Sequence, residues 1–306
     1  MTSVLIQTPG AKISARAGRL VVETVDGVRD VPLDHVSELL VLGNARMSTA
    51  VIADLAGRGV PVHFQAAESQ VPFSILNAST GQVEALRQQL TLTDVQQLRA
   101  ARGLIQAKIR NANWALQRLG SPVTLKFAEV VAAKDADTLR GLEGVAARAY
   151  FSGLRDILPG WGFPGRSYRP APDPVNAALS FAYSLLLGRA VAAVVQAGLH
   201  PAVGTMHVTH GRRPALALDI MEPFRAPVCD VVVVGLLRSG RLPRQTFEES
   251  ANGVRLGRNG CSLVTRVLNE RIISWRIPEA LRAQVQGVQR VWQGESAVWW
   301  APPVRA

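Results

Sequence analysis

The first 75 or so residues carry short apolar runs separated by turn residues, a pattern typical of β-strands. Residues 20–25 and 36–42 are the clearest runs, and residues 60–64 repeat the pattern. Between them, Ser48 is a suitable N-cap for a short helix over residues 49–56, which glycines then end. The pattern therefore predicts a small β-rich region that contains one helix.

From about residue 81 the apolar residues follow the helical period instead. Thr93 and Gln96 form a capping box that opens a long helix, and Gly120 is its expected end. Asp173-Pro174 is a strong start signal for a second long helix. Further helices are predicted after Pro122, at 138–154 with Asp137 as its cap, and at 215–225, 229–237, 262–274 and 278–292.

One apolar run in this helical region, residues 175–198, is long enough to suggest a membrane span. Polar residues interrupt it, and Arg189 would be costly in the middle of a bilayer. A buried helix in the centre of a domain is therefore the better interpretation. The chain is predicted to be an α+β protein, with a small N-terminal β-rich domain at residues 1–80 and a larger all-α C-terminal domain at residues 81–306.

The two cysteines indicate a reducing compartment. Cys229 and Cys261 form neither a CxxC pair nor a disulfide framework, and both lie among apolar residues. The chain also begins without a charged-then-apolar leader. A cytoplasmic location without a membrane is the resulting expectation.

The net charge of +11 and the pI near 10.8 favour a polyanionic partner, because each neutralised phosphate releases counterions. Almost all of the 34 basic residues are arginines, a preference that a GC-rich genome would explain equally well. Arginine nevertheless grips phosphate with two parallel hydrogen bonds, whereas lysine acts as a point charge. Nucleic acid is the leading partner, and an anionic membrane surface is the alternative.

Glu143 stands among apolar residues on one face of the predicted helix 138–154. A carboxylate on an inward face is unfavourable unless a cation or hydrogen bonds compensate its charge. One interpretation is a salt bridge to an arginine such as Arg140 or Arg148. The other is that Glu143 binds a metal ion.

His207 is followed twelve and fifteen residues later by Asp219 and Glu222. On the predicted helix 215–225 the two acids are adjacent, on the side opposite the apolar stripe. Most such patterns are solvated polar faces. Here the acids and the imidazole lie close in sequence to several arginines, as expected where a metal ion and a phosphate meet.

The flanking arginines are Arg212, Arg213 and Arg225. Carboxylates with one imidazole suit Mg²⁺ or Mn²⁺, which assist phosphoryl transfer. His207 and His210 would suit zinc instead, but no cysteine or third histidine is near them in the sequence. The residues thus indicate a metal-dependent enzyme acting on nucleic acid.

At this point the sequence resembles a known family, the CRISPR-associated adaptation endonucleases, which are the integrase subunits of spacer acquisition. Residues 141–151, with Glu143, are similar to the glutamate motif of that family. Residues 173–186 resemble its central helix, and His207 with residues 216–225 resembles its histidine and acidic-helix motif. The three motifs occur in the family's order, and the resemblance spans nearly the whole chain.

The resemblance implies a metal site formed by Glu143, His207 and Glu222, with Asp219 near it as a further catalytic residue. Pro223 departs from the motif and is expected to break the helix after Glu222. The residues expected at the DNA, by resemblance or by charge, are Arg148, Asn176, Tyr183, Arg212, Arg213 and Arg225.

The resemblance also implies an activity and partners. The 3′-hydroxyl of a short double-stranded DNA fragment would attack a phosphodiester in the CRISPR repeat, with Mg²⁺ or Mn²⁺ as cofactor. The chain would form a homodimer through its β-rich domain and assemble with a small ferredoxin-like partner. Two alternatives remain open from the sequence: a branched-DNA nuclease that only hydrolyses, and a non-catalytic DNA-binding protein whose acids are salt-bridged.

Overall fold

The structure is a computed structural model that describes residues 2–65, 73–75, 83–126, 128–167, 170–207, 213–251 and 253–303. The chain divides into two compact units, Met1–Gln82 and Val83–Ala306. Its described strands are β1 (Thr2–Ile6), β2 (Ala11–Arg16), β3 (Arg19–Thr24), β4 (Gly27–Pro32), β5 (Val36–Leu42), β6 (Ala45–Met47), β7 (Val62–Gln65), β8 (Phe73–Ile75), β9 (Phe247–Ser250) and β10 (Gly253–Leu256). Its described helices are α1 (Thr49–Gly57), α2 (Val83–Leu90), α3 (Asp94–Leu119), α4 (Ala128–Ala132), α5 (Ala136–Asp156), α6 (Pro174–Gln196), α7 (Ala215–Phe224), α8 (Val231–Arg238), α9 (Arg258–Ser274) and α10 (Ile277–Trp292). The predicted α+β class, β-rich first and mostly helical afterwards, is confirmed.

The N-terminal unit contains two four-stranded sheets, in the orders β1-β5-β7-β8 and β4-β3-β2-β6. In the first sheet β1, β5 and β7 are parallel, and β8 is antiparallel to β7. Alternate residues of β3 point inward, so that Leu20 is fully buried and packs in the core with Leu39 of β5 and Leu55 of α1. The strand β4 was not predicted, because its exposed edge position imposes no apolar alternation on Gly27–Pro32.

Local capping signals set the ends of the predicted helices correctly at three places. The Ser48 side chain accepts a hydrogen bond from the Val51 backbone N–H, at 3.3 Å, and begins α1. The Thr93 capping box is present at the start of α3, and Gly120 ends that helix in the left-handed region with a φ of 79°. Asp173 caps α6, as predicted.

Two predictions about helix starts are wrong. Asp135, and not Asp137, caps α5, because its carboxylate accepts the Thr138 backbone N–H at 2.7 Å. No helix follows Pro122 directly. The Asn113 side chain there bonds the backbone N–H and carbonyl of Leu125, and residues 121–126 form neither a helix nor a strand.

Pro223 does not break the helix, contrary to the prediction. The chain runs on from α7 through a π-helical turn at Arg225–Asp230 and continues into α8. The carbonyl of Pro223 is satisfied from outside the helix, since it accepts a hydrogen bond from Asn111 Nδ2 at 2.8 Å. Such widened turns commonly occur at functional sites.

The helical unit is built around α6, which packs against α7, α9 and α10. Among the described helices, α6 is long and apolar enough to cross a membrane by length and composition. Its apolar window is however 72% buried inside the protein, as expected of a core helix.

The helical unit is not purely helical: β9 and β10 form an antiparallel hairpin, a correction to the all-α prediction. Polar residues dominate β9, so no apolar pattern marked it.

Candidate functional site

Three helices bring Glu143 and Glu222 to one cation. The ammonium group of Lys108, on α3, donates a short hydrogen bond to Oε1 of Glu143, on α5. The same nitrogen lies 2.7 Å from Oε2 of Glu222, on α7. The salt bridge considered for Glu143 therefore exists, but its partner is Lys108 and neither of the arginines expected from the sequence.

Glu222 is a buried carboxylate, with only 4% of its side chain exposed. Burial by itself would raise its pKa, but the charges of Arg225, Lys108 and His207 outweigh burial and lower the pKa to about 2. Burial also acts against the charge of Lys108, yet Glu222 and Glu143 together raise the pKa of its ammonium group. Glu222 and Lys108 are thus both ionised at neutral pH.

The His207 ring is held by Asp219. Nδ1 of His207 contacts Oδ1 of Asp219, which is fully buried. The carboxylate also accepts the backbone N–H groups of Thr205 at 2.7 Å, Met206 at 2.9 Å and His207 at 3.1 Å. A Cβ atom at Gly204 would lie 2.7 Å from the carbonyl of His207, so this tight turn requires glycine there.

The predicted polar face of α7 is not exposed to solvent. Asp219 and Glu222 are as buried as Leu216 and Ile220 on the opposite side. The simple alternative of a solvated helix face is therefore wrong. The acids are enclosed by other elements of the helical unit and compensated by specific partners there.

Within the described residues, no three His, Cys, Asp or Glu side chains are arranged to hold a metal ion as they stand. The donor chemistry nevertheless fits a hard divalent cation, because Glu143 and Glu222 already share one positive group. Oε2 of Glu222 is buried and, despite its proximity to Lys108, has no hydrogen bond of good geometry. His210, from the zinc alternative, lies outside the described residues.

Arg225, expected near the DNA, lies directly beside this cluster. Its guanidinium is 3.2 Å from Oε1 of Glu222 and sits over the Tyr183 ring, 4.9 Å from the centroid. Arg148 and Arg213 are exposed. Arg212 lies outside the described residues.

Asn176, expected in or near the DNA-facing site, has a fully buried side chain. Its amide oxygen accepts hydrogen bonds from the Arg166 guanidinium at 2.7 Å and from the Ser167 backbone at 3.0 Å. Its amide nitrogen donates to the Gly165 carbonyl and to Asp173. Asn176 thus orders this loop and Arg166 and does not present its amide at the surface.

The sequence analysis did not identify a buried acidic residue that lies next to the cluster of Lys108, Glu143 and Glu222. Asp230 accepts hydrogen bonds from the hydroxyls of Tyr150 and Tyr183, both at 2.7 Å. Burial raises the pKa of Asp230 to about 6, although both tyrosines and the nearby Arg166 and Arg225 act to lower it. Tyr183, predicted to face DNA, is itself buried and oriented by this acid.

The sequence analysis also did not identify Lys108, although its position on the predicted long helix indicates a buried lysine. It follows Leu104 by four residues and precedes Asn111 by three, on a helix face whose other members are buried. A lysine on an inward face needs an acidic partner, just as Glu143 needs a cation. The two observations together would have suggested the pair.

Comparison with known proteins defines the family. The family model of the CRISPR-associated protein Cas1 matches residues 4–270. A CRISPR-associated endonuclease Cas1 of Thermus thermophilus is 39% identical over 270 residues, which cover 86% of this chain and 84% of that protein. A Cas1 structure from Thermotoga maritima superposes with a TM-score of 0.82 at 21% identity, covering 98% of this chain and 99% of that one. A casposase bound to its integration product has the same TM-score at 18% identity, covering 100% and 95%.

The fold and the sequence similarity together define a DNA endonuclease of the integrase type. The chain belongs to the Cas1 family, the endonucleases and integrases of CRISPR adaptation. The resemblance found in the sequence and the activity that it implied are thereby confirmed. The hydrolysis-only nuclease and the non-catalytic DNA-binding protein are not favoured.

Proposed function

We propose that Glu143, His207 and Glu222 hold the divalent cation, Mg²⁺ or Mn²⁺, at which this enzyme processes DNA. The observation that supports this most directly is the convergence of Glu143 and Glu222 on one positive group. The His207 ring contacts Asp219, which lies three residues before Glu222 on α7. Two carboxylates and an imidazole form a ligand set suited to either ion.

In the proposed reaction the 3′-hydroxyl of a short DNA fragment attacks a phosphodiester of the CRISPR repeat. One P–O bond forms, one P–O bond breaks, and the proton of the attacking hydroxyl ends on the departing 3′-oxygen. A bound ion supplies polarisation of the scissile phosphate and stabilisation of its developing charge. Neither water nor an external energy source is consumed.

The protein's own groups orient the participants. Asp219 engages Nδ1 of His207, which leaves the other ring nitrogen, Nε2, as the one that would bind the metal ion. Its two oxygens are already occupied by backbone N–H groups and the imidazole, so we assign Asp219 a positioning role instead of direct catalysis. Arg225, fixed by Glu222 and Tyr183, is placed to bind a DNA phosphate.

The remaining assignments concern the surface and the assembly. We assign DNA-backbone contacts to Arg148, Arg212 and Arg213, in addition to Arg225. A homodimer formed through the β-rich domain, residues 1–80, with a catalytic domain at 81–306, would present two such sites. Solved complexes of Cas1 with DNA and of a Cas6-RT-Cas1 protein with Cas2 support DNA and a second protein as partners. We further assign a small ferredoxin-like fold to that second protein and a cytoplasmic location to the assembly.

The decisive experiment is a strand-transfer assay with a labelled fragment and a supercoiled repeat plasmid. We expect wild type to join the fragment to the plasmid in Mn²⁺, and Glu222→Gln to give no product while remaining folded. The matched control is Glu279→Gln on the exposed face of α10, which should retain full activity. Cutting without joining would identify a hydrolytic nuclease, and DNA binding unaffected by EDTA without any reaction would identify a binding protein.

A further inference from the structure

Lys108 lies at the point where a divalent cation would have to bind. Its ammonium group contacts Oε1 of Glu143 and lies 2.7 Å from Oε2 of Glu222. We propose that Lys108 is an internal competitor of the metal ion, so that metal binding requires displacement of the ammonium group. This inference rests on the metal site proposed above.

The burial of the cluster explains why a cation must be present there in every state. The side chain of Glu222 is 4% exposed and that of Glu143 is 24% exposed. Two carboxylates at such a short separation repel each other and are partly desolvated. A positive charge between them offsets both effects. In the metal-free protein Lys108 supplies that charge, with 22% of its own side chain exposed.

Arg225 cannot perform the same task from its position. It approaches the other oxygen of Glu222, Oε1, at 3.2 Å and is stacked on Tyr183. Lys108 approaches Oε2, and the same ammonium nitrogen contacts Oε1 of Glu143. The two basic groups thus contact different oxygens of the Glu222 carboxylate. Lys108 contacts the oxygen to which an ion shared with Glu143 would bind.

The ammonium group and a divalent ion exclude one another at this place. Mg²⁺ binds carboxylate oxygens at about 2.0–2.1 Å, so an ion held by both Glu143 and Glu222 would need the position between them that the ammonium nitrogen now holds. Two cations that share these oxygens would also repel each other strongly in a partly buried site. Lysine suits displacement, because its compact charge is carried on a flexible four-carbon stem.

The test is Mn²⁺ binding measured by isothermal titration calorimetry, with no DNA and no turnover. We expect Lys108→Met to lower the dissociation constant for Mn²⁺ by about tenfold or more, because the competing charge is gone. Lys108→Arg retains a positive charge and should bind Mn²⁺ no more tightly than wild type. The matched control is Lys134→Met, which removes an exposed lysine that precedes α5 and takes no part in the contacts of Lys108 with Glu143 and Glu222.

Each outcome is informative. Tighter Mn²⁺ binding by Lys108→Met that disappears on adding Glu222→Gln supports the competition. If wild type binds Mn²⁺ through Glu222 and Lys108→Met binds it equally or more weakly, the competition is refuted while the metal site stands. If neither protein shows Mn²⁺ binding that depends on Glu222, the metal site itself is refuted, and the inference with it. Should Lys108→Met not fold without metal, Lys108→Gln in the same titration decides between these outcomes.

Discussion

The indole of Trp300 lies nearly parallel to the ring of Phe224, with 4.2 Å between their centroids and 15° between their planes. This contact connects the segment after α10 with the last residue of α7, two positions after Glu222. Asn111 strengthens the connection, because its amide donates to the carbonyls of both Pro223 and Trp300. Trp300, which follows α10, is thus held against residues of α3 and α7.

The first prediction concerns this stacking. Trp300→Ala should lower the free energy of unfolding by about 1–3 kcal/mol, because a large aromatic contact is lost from a partly buried site. It should also reduce strand transfer, since Phe224 supports the end of the helix that carries Glu222. Trp300→Phe keeps an aromatic ring and should lose less of both, as chemical denaturation and the joining assay would measure. Equal losses for the two variants would exclude the stacking as the cause.

The second prediction concerns the exposed arginines. Arg148→Ala and Arg213→Ala should each weaken binding to all DNA sequences about equally and reduce the salt slope of log K by roughly one. Fluorescence anisotropy over a range of salt concentrations gives both quantities. Arg213→Lys retains the charge and should retain the slope. A binding constant insensitive to salt would mean that the charge of +11 is background composition.

The third prediction separates the two members of the Glu143–Lys108 pair. Glu143→Gln should abolish strand transfer yet cost less than about 1 kcal/mol in the absence of metal, because Lys108 keeps its contact with Glu222 and the pair is partly exposed. Lys108→Met leaves two carboxylates without their common cation and should be the less stable variant. Thermal melts with and without Mn²⁺ provide the comparison. A strongly destabilised Glu143→Gln protein would assign Glu143 a structural role and remove it from the ligand set.

The fourth prediction concerns pH. The pKa of Asp230 is raised from 3.8 to about 6 by burial, so the folded protein holds this proton more tightly than the unfolded chain. Its contribution to stability is therefore fully present below pH 3.8 and is lost as the pH rises through about 6. From pH 4 to pH 7 the wild type should lose up to about 3 kcal/mol relative to Asp230→Asn. Urea unfolding of both proteins across this range checks it, and parallel stability curves would contradict it.

The helix ends show where local sequence suffices and where it does not. Thr93 and Asp173 cap helices as predicted, since a capping bond involves a side chain and a backbone group only three residues away. Asp135 and Asp137 offered the same chemistry two residues apart, and the pattern named the wrong one. Past Pro223 the chain continues as a helix, and the Pro223 carbonyl there accepts a hydrogen bond from Asn111, a residue of another helix.

The sequence by itself determined the order of the two regions, the long helices and the acids of the candidate site, because periodicity and capping are local and the family motifs are contiguous. The tertiary structure decided which side chains and backbone groups these residues contact. Glu143 contacts Lys108, the Asp219 carboxylate accepts hydrogen bonds from a backbone turn, and the Asn176 side chain points inward. All three arrangements depend on contacts between residues that are distant in the sequence. A buried charge must be compensated, but a one-dimensional pattern does not state which opposite charge the packing of α3, α5 and α7 will bring within reach.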